Sequence, residues 1–199
     1  TEPSCSPAPH RVDMRRDDVL TLDIAKPAAG GRMLARHDGQ VVFVAGAIPG
    51  ERVRARVDRV GRQLAFAETV DVLDASPDRR PQHIDWACGG SLYAHIAYER
   101  QLALKADLVA DSFGRIGKIS LPGTVSVMAS EELGYRTRAR LHVQNGTFGF
   151  FREGTHELCD AAATRQLLPE TIAALRRLEG DLKAAGIAGV TACDLAENV

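Results

Sequence analysis

Three arginines, Arg52, Arg54 and Arg56, alternate with Val53, Ala55 and Val57. At the two-residue period of a strand, the guanidiniums leave by one face while the apolar set faces a core. A row of guanidiniums suits phosphate oxygens, which each can grip through two parallel N–H bonds. Arg59 and Arg62 carry the positive stripe into the next loop. The competing reading is an ordinary solvated strand face, neutralised in part by Glu51 and Asp58. A second set, Arg136, Arg138, Arg140 and His142, alternates with Thr137, Ala139, Leu141 and Val143. Two basic strand faces fit RNA gripped across a domain junction, with Tyr135, Phe148, Phe150 and Phe151 nearby as stacking platforms. At least two of those three phenylalanines are expected in the core instead.

Cys88-Gly89-Gly90 is the next candidate, because two glycines after a cysteine let the backbone wrap closely around a metal or cluster. Cys159 falls in the same half of the chain, as does Cys193 near its end. His83, His95 and His156 add imidazoles, but no spacing matches a zinc ribbon or finger. Buried, inert cysteines are the alternative. The chain has no Gly-rich phosphate loop after a strand, no His-Glu-x-x-His and no Gly-x-Ser-x-Gly elbow, and Asp107 with Asp111 reads as a solvated helix face. On the residues' own evidence there is no catalytic centre.

The elements that must position these groups fall into two sets. Residues 1–15 hold three prolines without apolar periodicity and read as a flexible leader. From 16 to 75, short alternating runs (Val19 to Ile24, Val41 to Val44, Arg52 to Val57, Leu64 to Leu73) are separated by turn signals at Gly30-Gly31, Asp38-Gly39, Pro49-Gly50 and Gly61. That pattern predicts a small closed or partly open antiparallel barrel of OB-like type. Pro77 and Pro81 break it and mark a junction, and 76–199 reads as a mixed α+β unit. There the spacing predicts helices from Tyr98 to Ile116, stopped at Gly117, and from Pro169 to Ala185, stopped at Gly186. Strands are expected at Val125 to Met128 and Arg136 to Val143, with a hairpin turn at Asn145-Gly146 leading into Phe148 to Phe151. Residues from Gly189 read as a strand just beginning.

A hydrophobic fraction of 45% can supply real cores, and no apolar run approaches the roughly 20 residues a membrane helix needs. The expected setting is cytoplasmic. Four cysteines without a regular framework favour reduced thiols or metal ligation over disulfides. A net charge of −1 removes any argument from bulk charge, so a basic footprint must be local.

The stretch from Gly30-Gly31-Arg32 through Ala35-Arg36-His37-Asp38-Gly39 to Gly50-Glu51-Arg52-Val53 resembles the TRAM domain, an OB-like RNA-binding barrel. Cys88-Gly-Gly-Ser-Leu-Tyr-Ala-His-Ile-Ala-Tyr-Glu-Arg-Gln-Leu-Ala-Leu-Lys resembles the cluster segment of bacterial uracil-5 methyltransferases of 23S ribosomal RNA. Tyr135-Arg136-Thr137-Arg138 and the region from Gly149 to Cys159 resemble that family's central domain. The resemblance implies a TRAM barrel followed by an α+β central domain, with the SAM-binding, Rossmann-like catalytic domain absent from this chain. A catalytic cysteine that adds to uracil C6 and a carboxylate base would both lie in that absent domain, so Cys193 is not the nucleophile. The chain alone should be inactive.

The implied partner is structured RNA, ribosomal in this family, bound by a monomer with no membrane involved. The expected contacts are Arg32, Arg36, Arg52, Arg54, Arg56, Arg136 and Arg138. Family members with a [4Fe-4S] cluster show Cys-x5-Cys-Gly-Gly-Cys and a distant fourth cysteine. Cys88 and Cys159 fit two of these positions, but Gln82 and Ser91 replace the other two, so a stable cluster is not expected. Two other functions stand beside this one: a stand-alone RNA-binding TRAM-type module, and a small metal-binding or redox protein using Cys88 and Cys159.

Overall fold

The computed structural model describes residues 14–81 and 84–197, so most of the leader, together with Gln82 and His83, lies outside the described residues. The chain forms two units, Thr1–Ser76 and Pro77–Val199.

The first unit is built on five strands: β1 (Val19–Pro27), β2 (Met33–His37), β3 (Gln40–Ala45), β4 (Arg52–Val60) and β5 (Leu64–Asp74). They close into a barrel in the order β1-β2-β3-β5-β4, with β4 returning to pair with β1. This corrects the antiparallel expectation at one place, because β3 and β5 run parallel. After β3 the chain crosses to β4 beside β1, and β5 then fills the gap between β4 and β3; closure leaves it no other direction. Small and branched residues line the inside, including Ala35, Val42, Val53, Ala55, Val57, Ala65 and Ala67, each 0% exposed. A narrow barrel interior admits side chains of that size and sends larger neighbours outward. Buried Glu51 closes the crossing loop, accepting hydrogen bonds from Ile48 N–H at 2.8 Å and Ser76 N–H at 3.1 Å.

The second unit carries α1 (Tyr98–Asp111), β6 (Arg138–Gln144), β7 (Thr147–Phe151), β8 (Leu158–Asp160), α2 (Pro169–Ala184) and β9 (Ala192–Ala196). Its sheet has the order β8-β7-β6-β9. Asn145 and Gly146 take positive φ of 52° and 77°, the geometry a two-residue hairpin needs between β6 and β7. One sheet face, with Leu141, Phe148 and Phe150, packs with Leu175 and Ile172 of α2. Phe148 and Phe150 are therefore core, as one reading of the sequence held.

α1 continues through a π-helical turn at Ser112–Ile116 and is capped at Gly117. Pro169 opens α2, where its missing N–H costs nothing. The strand expected at Val125 to Met128 is absent: the segment is irregular and Met128 is 92% exposed. Alternation alone cannot make a strand when no neighbour offers a ladder and neither face is buried. The strand sensed after Gly189 forms at Ala192–Ala196 and pairs with β6.

Candidate nucleic-acid interface

β4 presents its arginines as the alternation requires. Arg52, Arg54 and Arg56 are exposed, while Val53, Ala55 and Val57 point inward. Each guanidinium faces a carboxylate on an adjoining strand: Arg52 with Asp23 at 3.9 Å, Arg54 with Asp71 at 3.5 Å, Arg56 with Glu68 at 3.9 Å. The outer surface of β4 is thus a ladder of opposite charges, with the arginine side chains about half exposed. Pairs of this kind are worth about 0–1 kcal/mol each and yield readily to another anion.

A different surface lies across the other strands. Register places Leu34 of β2 beside Phe43 of β3, Phe43 beside Phe66 of β5, and Phe66 beside Arg59 of β4. These four side chains form one row on the outside of the barrel, since their strand neighbours Ala35, Val42, Val44, Ala65 and Ala67 are all buried. The Phe43 and Phe66 rings lie 5.6 Å apart. The Arg59 guanidinium sits 4.0 Å from the centre of the Phe66 ring, and that of Arg32 sits 5.4 Å from it. Arg32 also donates to Ala67 O at 3.1 Å and pairs with Asp58 at 3.5 Å, which fixes its position. Arg36, exposed on β2, and Arg59 and Arg62 pair with no carboxylate among the described residues.

Sequence reading did not single out Phe43 and Phe66. The signal was present in Leu64-Ala-Phe-Ala: where alanine alternates with phenylalanine on a barrel strand, the narrow interior takes the alanine.

In the second unit, Arg138 is exposed on β6, Arg140 lies 3.8 Å from Asp194 of β9, and His142 stacks on Phe151 with centroids 3.7 Å apart. Arg136 precedes the strand. Its guanidinium lies 5.3 Å from the centre of the Phe150 ring and its Nε is buried, so it belongs to the packing around Gly90 more than to an open face.

The Cys88 loop is tied to the β7–β8 hairpin. Cys88 bridges Arg152, Gly89 N–H donates to Phe151 O at 3.0 Å, and Cys88 and Cys159 are joined as a disulfide across 71 residues. This corrects the expectation of reduced or metal-bound thiols. Pairing of Phe150 with Cys159 in the hairpin, together with the Cys88–Arg152 bridge, brings two distant cysteines to a Cα separation of 5.9 Å. Gly90, at φ +90°, is required because a Cβ there would overlap Gln166 Oε1 and lie 2.6 Å from Arg136. The glycines thus admit the protein's own side chains and strand.

A [4Fe-4S] group takes four thiolates, and the residues here do not fit it. The two sulfurs bond each other, the buried Ser91 hydroxyl lies 3.4 Å from Gln166 Nε2, and the neighbouring Asp85 carboxylate is held by Arg152. Gln82 lies outside the described residues.

A closed five-stranded barrel of order β1-β2-β3-β5-β4 is a barrel of OB-like type. Residues 16–70 match the TRAM domain model. An uncharacterized RNA methyltransferase of Corynebacterium glutamicum is 32% identical over 169 residues, covering 82% of this chain and 41% of that protein. The 23S rRNA (uracil(1939)-C(5))-methyltransferase RlmD of Methylococcus capsulatus is 40% identical over 127 residues, covering 62% of this chain and 28% of the enzyme. The chain thus contains a TRAM domain and is similar over most of its length to proteins named as RNA methyltransferases. It spans about two fifths of the length of the first curated relatives it matches. The fold also matches the crystal structure of the Pyrococcus abyssi tRNA (uracil-54, C5)-methyltransferase in complex with S-adenosyl-L-homocysteine, with a TM-score of 0.58 at 21% identity over 83% of this chain and 37% of that one.

Proposed function

We infer that this chain is the RNA-recognition portion of a SAM-dependent RNA uracil-5 methyltransferase, with ribosomal RNA as its substrate class. The observation that carries the reading is the extent of the relationship. A match of 169 residues is longer than either unit, so the barrel and the second unit occur together in proteins named as RNA methyltransferases. The enzymes named for uracil C5 chemistry supply the reaction, and SAM supplies the methyl group when bound.

The described residues contribute grip. Cys193 lies on edge strand β9, packed against the core of the sheet with its thiol toward Asp194 O at 3.9 Å, and the Asp194 carboxylate faces Arg140. The chain alone binds RNA as a monomer and transfers no methyl group. Arg36, Arg52, Arg54, Arg56 and Arg138, all exposed, meet the phosphates, and Arg32 and Arg136 hold the surfaces around them. The setting is cytoplasmic; no helix among the described residues is long and apolar enough to cross a membrane.

The test is titration of the purified chain with a structured ribosomal RNA fragment at several salt concentrations. Affinity that falls steeply with salt is the expected result, because each phosphate contact releases counterions. Absence of binding at low salt would overturn the reading.

A further inference from the structure

We propose that the outer row Phe43–Phe66–Arg59, flanked by Leu34 and Arg36, is a stacking platform for unpaired bases, so that the barrel takes its RNA single-stranded. The proposal rests on the RNA-recognition reading above and names the form of RNA that the barrel recognises.

The row has the two features that base stacking needs. First, it offers planar surfaces on the outside of a closed barrel. Phe43 and Phe66 are half-buried at the base of the row, their ring centroids 5.6 Å apart and tilted by 35°, and the Arg59 guanidinium lies against Phe66 at 4.0 Å. A guanidinium already stacked on a ring is itself a flat cationic plate, and both kinds of plate accept a nucleobase. Second, the charge beside these plates is not neutralised. Arg36, Arg59 and Arg62 pair with no carboxylate among the described residues, whereas the three arginines of the β4 ladder each face one. A backbone phosphate next to a stacked base therefore meets cations that need give up no partner.

The narrow barrel interior accounts for the outward direction of these side chains, not for their being aromatic. The barrel core is formed by valine, alanine, leucine, isoleucine and methionine, and Phe43 and Phe66 form a cross-strand pair on the surface. A base-paired duplex hides its ring faces inside the stack, so this surface favours unpaired nucleotides. Strands of OB barrels commonly serve oligonucleotides in this way.

The test compares Kd values of the full chain for a fluorescein-labelled 12-nucleotide RNA, single-stranded and as a duplex with its complement, for wild type, Phe43→Leu/Phe66→Leu and Arg59→Lys. Leucine keeps apolar cover on the barrel, and circular dichroism confirms that the variant folds. Arg59 is exposed, so Arg59→Lys keeps fold and charge and removes only the plate. The expected result is tighter binding of single-stranded RNA than of duplex by wild type. Affinity for the single strand should then fall about tenfold or more with the leucine pair and several-fold with Arg59→Lys, at an unchanged salt slope, since stacking is worth about 1–3 kcal/mol per base while the slope counts phosphates. Wild-type affinity in both variants, or a preference for duplex, overturns the platform while leaving RNA recognition standing. Failure of the wild-type chain to bind either RNA overturns both.

Discussion

β4 and β6 carry the same sequence pattern, arginine alternating with small or branched apolar residues, yet they face different surroundings. On β4 every arginine of the alternating set has a carboxylate across the ladder, supplied by β1 or β5. On β6, Arg140 has Asp194, Arg138 lies opposite Ala196, and the next outward residue, His142, is stacked on Phe151. The strand period dictates which way a side chain points; the neighbouring strands dictate what it meets. The inner faces differ too. β4 helps close a barrel that leaves no edge within its ring, whereas β6 sits in an open sheet packed on one helix and tied at its hairpin by a disulfide.

The largest expected effect breaks that second contrast. Closing a loop of 71 residues restrains the unfolded chain by about 4 kcal/mol in the chain-entropy account. Cys159→Ser should therefore lower the stability of the second unit by up to that amount and leave the barrel untouched. Amide hydrogen exchange followed by strand distinguishes the two: protection should drop in β6 to β8 and hold in β1 to β5. Equal loss in both units would mean that the staple serves the whole chain.

Next in size is the charge ladder. Replacing Arg52, Arg54 and Arg56 together with serine leaves Val53, Ala55 and Val57 in the core, so the barrel should stay folded. It also leaves Asp23, Asp71 and Glu68 exposed to repel RNA. Affinity for a structured ribosomal RNA fragment should fall and the log–log salt slope should flatten by up to about 2, at about 0.7 per phosphate contact. Unchanged affinity would make the ladder a solvated face and leave binding to Arg36, Arg59 and Arg62. Arg138→Ser sharpens the comparison with β6. With no carboxylate to release among the described residues, Arg138 should cost the slope about 0.7, as much as any single member of the ladder. A single Arg54→Ser that matched the whole triple variant would show that the ladder acts at one contact.

Much of this organisation was legible along the chain, and the reason is locality. The outward face of β4 follows from Arg-Val-Arg-Ala-Arg-Val, the β6–β7 turn from Asn145-Gly146, and α2 from Pro169 at one end and Gly186 at the other. What escaped depends on residues distant in sequence. Asp71 is seventeen positions from Arg54, Cys159 is 71 from Cys88, and the row joining Phe43, Phe66 and Arg59 exists only once β5 has inserted between β3 and β4. β2 was missed because its five residues include Arg36 and His37, and Val125 to Met128 was misread because a period of two is no strand without a partner. The TRAM-like segment supplied what periodicity could not, since it spans β2, β3 and the crossing loop as one unit.

The smallest effect concerns how the open sheet holds its helix. Arg176 of α2 hydrogen-bonds Asp160 at the end of β8 and reaches Glu179 at 2.8 Å, whose other oxygen accepts Phe148 N–H at 2.9 Å. Burial pushes the Asp160 carboxyl up, but hydrogen bonds from Arg176 and from Ala162 N–H outweigh it and hold the group below its ordinary value of 3.8. A carboxyl with a depressed folded value binds its proton less readily in the native state than in the unfolded chain. It therefore adds stability that is fully present above 3.8 and is lost as pH falls through the folded value. Because Asp160 and Arg176 are both partly exposed, the contribution is under about 1 kcal/mol. Arg176→Gln should lower the melting temperature of the second unit slightly at pH 7, and the difference from wild type should close as pH falls through the lowered folded value, where the carboxyl becomes protonated in both. A difference that persists in acid would place the value of Arg176 in its packing against the sheet edge rather than in its charge.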